Sequence, residues 1–130
     1  MRLPASLVAF YQLLGRRDDL TSNQDDLVPL SSLAVEDRVW VHRFENQGCA
    51  SWGVRVCDLG LANPPVVMCR DDSPWHRFLG SFSLAAVEIV LYEALFAAAE
   101  GCHDARRLGG ADVVRLEELY ERLPFPDSPA

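Results

Sequence analysis

Phe44 to Val54 read FENQGCASWGV, and this stretch gathers a carboxylate, two amides and a thiol within five positions. Glu45 has the chemistry of a general base, and Asn46 or Gln47 can donate to a developing oxyanion. Cys49 becomes a nucleophile only when a cationic histidine or a helix N-terminus lowers its pKa, and His42 and His76 are the histidines on offer. The same residues also suit a turn. Adjacent amides bond nearby backbone, Glu45 can pair with Arg43 or Arg55 on a wet face, and a small thiol packs in a tight bend. The turn explains more of the stretch, so no catalytic residue is assigned and the chain is read as a non-enzyme.

Metal chemistry has less to build on. The cysteines at 49, 57, 69 and 102 are irregularly spaced, with no CxxC and no HxxxH. Cys57 and Cys69 can be cross-strand neighbours, and Cys102 adjoins His103, which leaves a composite site open. Buried free thiols are the commoner arrangement, so neither metal nor cofactor is expected. Gly-rich phosphate loops, GxSxG and HExxH are all absent from the sequence.

The elements that would position these residues follow from periodicity. Leu3, Leu7, Phe10 and Leu14 predict a first helix from about Pro4 to Leu14, stopped at Gly15. RRDDLTSNQDD then reads as an exposed loop, and LVPLSSL as a short extended piece. Arg38 to Phe44 is a strand with Val39, Val41 and Arg43 on one face and Trp40, His42 and Phe44 on the other. Ser51 to Asp58 is a second strand that alternates Trp52, Val54 and Val56 against Ser51, Gly53, Arg55 and Cys57. Glu45, Asn46 and Gly48 make the hairpin turn between them, Asn46 and Gly48 being able to take positive φ, and Trp52 opens the strand that follows.

A third strand spans Pro65 to Arg70, and DDSPW leads into a long helix capped by Ser83. In that helix Leu84, Val87, Leu91 and Leu95 form a stripe that Ile89, Tyr92 and Phe96 widen, so cover on more than one side is expected. Glu88 and Glu93 inside it rule out a membrane span. Gly101 ends it, and Asp112 caps a final helix that reaches Leu123 before Pro124. The order predicts one α+β domain: an antiparallel sheet of about four to six strands, an N-terminal helix, a long C-terminal helix and a terminal extension helix. Residues 1–100 form the main body, and residues 101–130 a linker and helix packed on it.

At 130 residues the chain suits a single core. Its net charge of −7 and pI near 4.8 make nucleic acid a poor partner and a basic protein a good one. All twelve basic residues are arginine. With no export signal and no membrane segment, the thiols point to a reducing cytoplasm. The acidic doublets Asp18-Asp19, Asp25-Asp26 and Asp71-Asp72 fall in predicted loops. DDSPWHRF sets two of these carboxylates beside Trp75 and His76, the mixture of charge and aromatic anchor found at interface hot spots. These eight residues are the candidate partner-binding set.

An ordered series of segments resembles the SUKH superfamily, named for a yeast cell-wall synthesis regulator and its bacterial relatives. The series is LPASLVAFYQLLG, LVPLSSLAVED, VHRFENQGCASWGV, NPPVV, a loop tryptophan and FSLAAVEIVLYEAL, and it covers about Leu3 to Ala97. ENQG followed by WGV and NPPV is its most specific part. The resemblance implies an α+β fold without enzymatic activity. In bacteria it implies an immunity protein that binds and neutralises a cognate toxin, possibly a nuclease, as a monomer. The eukaryotic relatives imply the alternative, a regulatory or scaffold module with no toxin partner.

Overall fold

Leu7, Phe10 and Tyr11 give the first helix its buried side, and they lie on a twisted antiparallel sheet in a computed structural model that describes residues 2–97 and 109–122. The chain runs α1 (Ala5–Leu14), α2 (Asp18–Thr21), β1 (Asp26–Leu27), β2 (Ala34–Glu36), β3 (Val39–Phe44), β4 (Ala50–Arg55), β5 (Val66–Arg70), β6 (His76–Leu79), α3 (Phe82–Ala97) and α4 (Gly110–Leu119). Short 3₁₀ turns at Leu30–Ser32 and Val56–Asp58 complete the described elements. The class is α+β, as expected.

Six strands pair antiparallel in the order β1-β3-β4-β5-β6, and β2 also pairs with β3. Three of these strands were not anticipated. β1 straddles the end of the predicted polar loop and the start of the extended piece LVPLSSL, β2 sits in LSSLAVE, and β6 replaces the expected direct passage from DDSPW into the helix. The start of α3 also differs: Ser81, not Ser83, caps it, its hydroxyl accepting the Leu84 N–H at 3.3 Å. Asn63 adds a second cap by accepting the Ser83 N–H at 2.9 Å. The NPPV segment therefore anchors α3, and Pro64 beside it is fully buried.

The main core lies between the sheet and the helices. Trp40, Trp52, Val54, Val66 and Met68 from the strands meet Leu7, Phe10, Phe82, Ala85 and Ile89 from α1 and α3. Phe10 stands edge-on to Phe82 at 5.6 Å, and the Tyr11 hydroxyl donates to the Val28 carbonyl at 2.6 Å. On the opposite face Val39, Val41 and Val67 lie under half-buried Phe44 and Trp75, while their ladder partners Ala34, Glu36 and Arg77 are exposed, so this is the wetter face with a small dry centre.

The register shifts between Val41 and Arg43, where a bulge inserts His42. Val41 lies opposite Gly53, yet Arg43 lies opposite Trp52. Beyond the bulge the faces are exchanged, so Arg43 points under α3 with Trp52, and not outward with Val39 and Val41. That inversion builds the central feature of the molecule.

The expected stripe of α3 also changes. Its buried line is Phe82, Ala85, Ile89 and Glu93, while Val87, Leu91 and Leu95 are exposed. Glu93, an acid in the middle of an apolar helix, is completely buried. Among the described residues, no helix is long and apolar enough to cross a membrane. The expectations for the segment around Gly101 and for Cys102 and His103 lie outside the described residues; the final helix, expected to be capped by Asp112 and to reach Leu123, instead runs Gly110–Leu119 with Gly109 at its N-cap and Tyr120 already extended.

Candidate functional site

Among the described residues, Arg43 is the largest fully buried side chain. Its guanidinium lies over the Trp52 ring at 4.7 Å and against Tyr92 at 5.1 Å, so two aromatic faces take up part of its charge. Three carboxyl groups surround its edge: Glu88 at 2.8 Å, Asp25 at 3.2 Å and Glu93 at 3.3 Å. Glu93 also accepts backbone N–H groups from Asn23, Gln24 and Asp25. One acid thus closes the loop that precedes β1 onto α3, and one arginine holds both to the sheet.

Burial sets the titration of this cluster. Desolvation pushes the Asp25 and Glu88 carboxyls above their ordinary range, and Arg43 only partly offsets it. Desolvation also raises the Tyr92 hydroxyl. Beside them, His42 is fully buried edge-on to Phe82 at 5.2 Å, and its Nδ1 has no hydrogen-bond partner among the described residues. Burial, aided by the neighbouring Arg43 charge, lowers its pKa to about 3.

The cluster holds up one end of the sheet. β1 begins there, with Asp26 opposite Phe44. The Asn46 N–H donates to the Asp25 carboxylate at 3.4 Å, which joins β1 to the β3–β4 hairpin. The next turn is joined too, because the Asp71 N–H donates to the Cys49 carbonyl at 2.6 Å. On the other flank, the Asn23 side chain donates to the Asp19 carbonyl at the end of α2. These contacts set the Asp25-Asp26 and Asp71-Asp72 doublets on either side of the β3–β4 hairpin turn, while Asp18-Asp19 stays on α2.

The predicted partner-binding residues divide on inspection. Asp18, Asp26, Asp71, Asp72 and His76 are exposed. Asp19 is exposed and held by the Arg17 guanidinium at 2.8 Å, which lowers its pKa through that hydrogen bond. Asp25 is the exception: at 2 % exposure, and paired to Arg43, it is a structural group with no surface to offer. Trp75 is half-buried against Val39, Val41 and Val67, and its carbonyl accepts from Arg55 at 3.1 Å.

The FENQG turn is a hairpin, closed by the Glu45 N–H donating to Ala50 and the Gly48 N–H donating to Glu45. Gly48 has φ +75°, whereas Asn46 is not among the residues of positive φ. Arg43 and Arg55 are both engaged elsewhere, so neither pairs with Glu45. Cys69 lies opposite Ser51 and not Cys57, which removes the suggested cysteine pair. No group of three or more potential metal ligands occurs among the described residues.

Sequence reasoning missed the buried cluster. Its signal was present: an arginine within a β-branched strand and two glutamates within an apolar helix are charges that have to find each other. A scan of protein-family models, a search of curated proteins and a search of solved structures each returned no match.

Proposed function

We propose that this is a non-enzymatic protein-binding domain that uses the acidic end of its sheet to engage a basic protein. The observation that carries the proposal is the placement of exposed Asp26, Asp71 and Asp72 on either side of the β3–β4 hairpin turn, at an end of the sheet braced by the Arg43 cluster. A preformed acidic surface on a chain of net charge −7 accelerates encounter with a basic partner and repels acidic ones. The resemblance to the SUKH superfamily supports the more specific role of an immunity protein that acts in the cytoplasm and covers a toxin domain stoichiometrically. A basic nuclease cleft is the form of toxin such a surface fits best.

Co-expression with the product of the adjacent toxin-like gene, followed by size-exclusion chromatography, tests this role. A 1:1 complex is expected. A neighbourhood without a toxin and no copurifying partner would overturn it, and recovery of a host signalling or envelope protein would select the scaffold alternative.

A further inference from the structure

α1 buries one side and leaves the other uncovered. Leu7, Phe10 and Tyr11 face the core, while Ala5, Ala9, Gln12 and Leu13 are exposed. Two adjoining grooves follow the uncovered side and share Val8 and Gln12 as lining. The loop from Leu59 to Ala62 walls the first, and the turn from Pro29 to Ser31 walls the second. Each wall adds an apolar side chain in water: Leu61 is 51 % and Leu30 50 % exposed, and Leu13 on the helix is 77 % exposed. Large apolar side chains gathered around one pair of grooves mark a binding surface.

The charge of this face runs against that of the chain. Although the sequence has 19 acidic residues and 12 basic ones, neither groove is lined by a carboxylate among the described residues. Arg2 lines the first groove and Arg16 the second, one beyond each end of α1, and both are exposed. Neither forms an ion pair among the described residues, whereas the adjacent Arg17 is taken by Asp19. The face is also separate from the acidic end, none of whose residues lines either groove.

We infer that this face receives an amphipathic helix with acidic ends, supplied by a second protein other than the basic partner. Ala5, Ala9 and Leu13 recur every fourth residue along α1, and the two alanines are small enough for another helix to approach closely. From Ala5 to Leu14 the helix advances about 15 Å, so a partner helix of about four turns meets Arg2 with one end and Arg16 with the other. Carboxylates at those ends pair with the free arginines, and leucines between them enter the grooves beside Val8. A second copy fits worse. Two-fold pairing through this face would join patches whose only lining charges are arginines, and two chains of charge −7 repel.

Fluorescence anisotropy with the full chain tests charge and shape together. The probes are two helix-stapled peptides of about four turns with leucines along one side, one carrying glutamate in its first and last turns and the other lysine at the same positions. The glutamate peptide should bind and the lysine peptide should not. Arg2→Glu combined with Arg16→Glu should weaken the glutamate peptide about tenfold or more and admit the lysine peptide. Ala9→Gln, neutral but larger at an exposed position, should weaken the glutamate peptide while the urea unfolding midpoint stays unchanged. Equal binding of the two peptides, binding of neither, or affinities that these substitutions leave unmoved would overturn the inference. So would a concentration-dependent dimer that Leu13→Asp dissolves, or retention of the chain on anionic phospholipid vesicles that the glutamate peptide fails to displace.

Discussion

The guanidinium of Arg43 brings one positive charge into a space shared by three carboxyl groups, and Asp25 and Glu93 there are almost or wholly out of water. Removing the arginine would leave those acids without their counter-charge. Arg43→Met should therefore cost about 3–5 kcal/mol in urea unfolding, although methionine fills much of the volume. A loss below about 1 kcal/mol would mean that the acids find other partners. The residues of this cluster also set the pH dependence, with opposite signs. Asp25 and Glu88 have raised pKa values, so the folded chain holds their protons more tightly than the unfolded one. Their contribution to stability falls as pH rises from the ordinary carboxylate value of about 4 through the raised values.

His42 works the other way. Its pKa falls from an ordinary value near 6.5 to about 3, so the unfolded chain binds the proton first and stability is lost as pH drops below about 6.5. Between pH 7 and pH 5 that loss amounts to about 2 kcal/mol. His42→Leu should remove it and leave only the slope of the two carboxyls, which favours mild acid. If wild type and variant kept the same pH slope, His42 would not be the titrating group. The sequence displayed all these residues but not their meeting, because Asp25, Arg43, Glu88 and Glu93 come from three separate parts of the chain.

At the scale of elements, the bulge in β3 decides the most. Period-two alternation correctly put Trp52 and Val54 together on a buried face, and the hairpin, β5 and both ends of α1 were legible from pattern and turn residues. The bulge leaves no mark in composition, and one inserted residue exchanges the faces beyond it. β1 has two residues and β2 three, too short for periodicity to register. The β2–β3 turn is made by Asp37 and Arg38, both at positive φ, where glycine or asparagine is the usual signal. Close packing of β3 on β4 provides a check. A Cβ at Gly53 would run into Val39 Cγ1 and lie 2.6 Å from the Trp40 carbonyl oxygen. Gly53→Ala should thus destabilise the sheet by about 1–3 kcal/mol in urea unfolding, and an unchanged midpoint would show that β3 gives way freely.

Over the whole molecule, the structure divides into a sheet packed under helices on one face, a buried ionic clasp and an acidic end that the clasp supports. The loops of that end come from distant parts of the sequence, so Asp25-Asp26 and Asp71-Asp72 were visible singly while their meeting at the hairpin depended on the order β1-β3-β4-β5. Asp25 shows the limit of reading charge as surface: it is adjacent to exposed Asp26, but its own carboxylate is buried in an ion pair with Arg43. The most direct test of the acidic end is a titration of the copurified basic partner against wild type and the triple variant Asp26→Asn, Asp71→Asn, Asp72→Asn, repeated over a range of salt. Binding that weakens at least tenfold in the variant, with a shallower dependence on salt, is the expected result. Equal affinity and equal salt dependence for the two proteins would contradict the assignment of partner binding to this end.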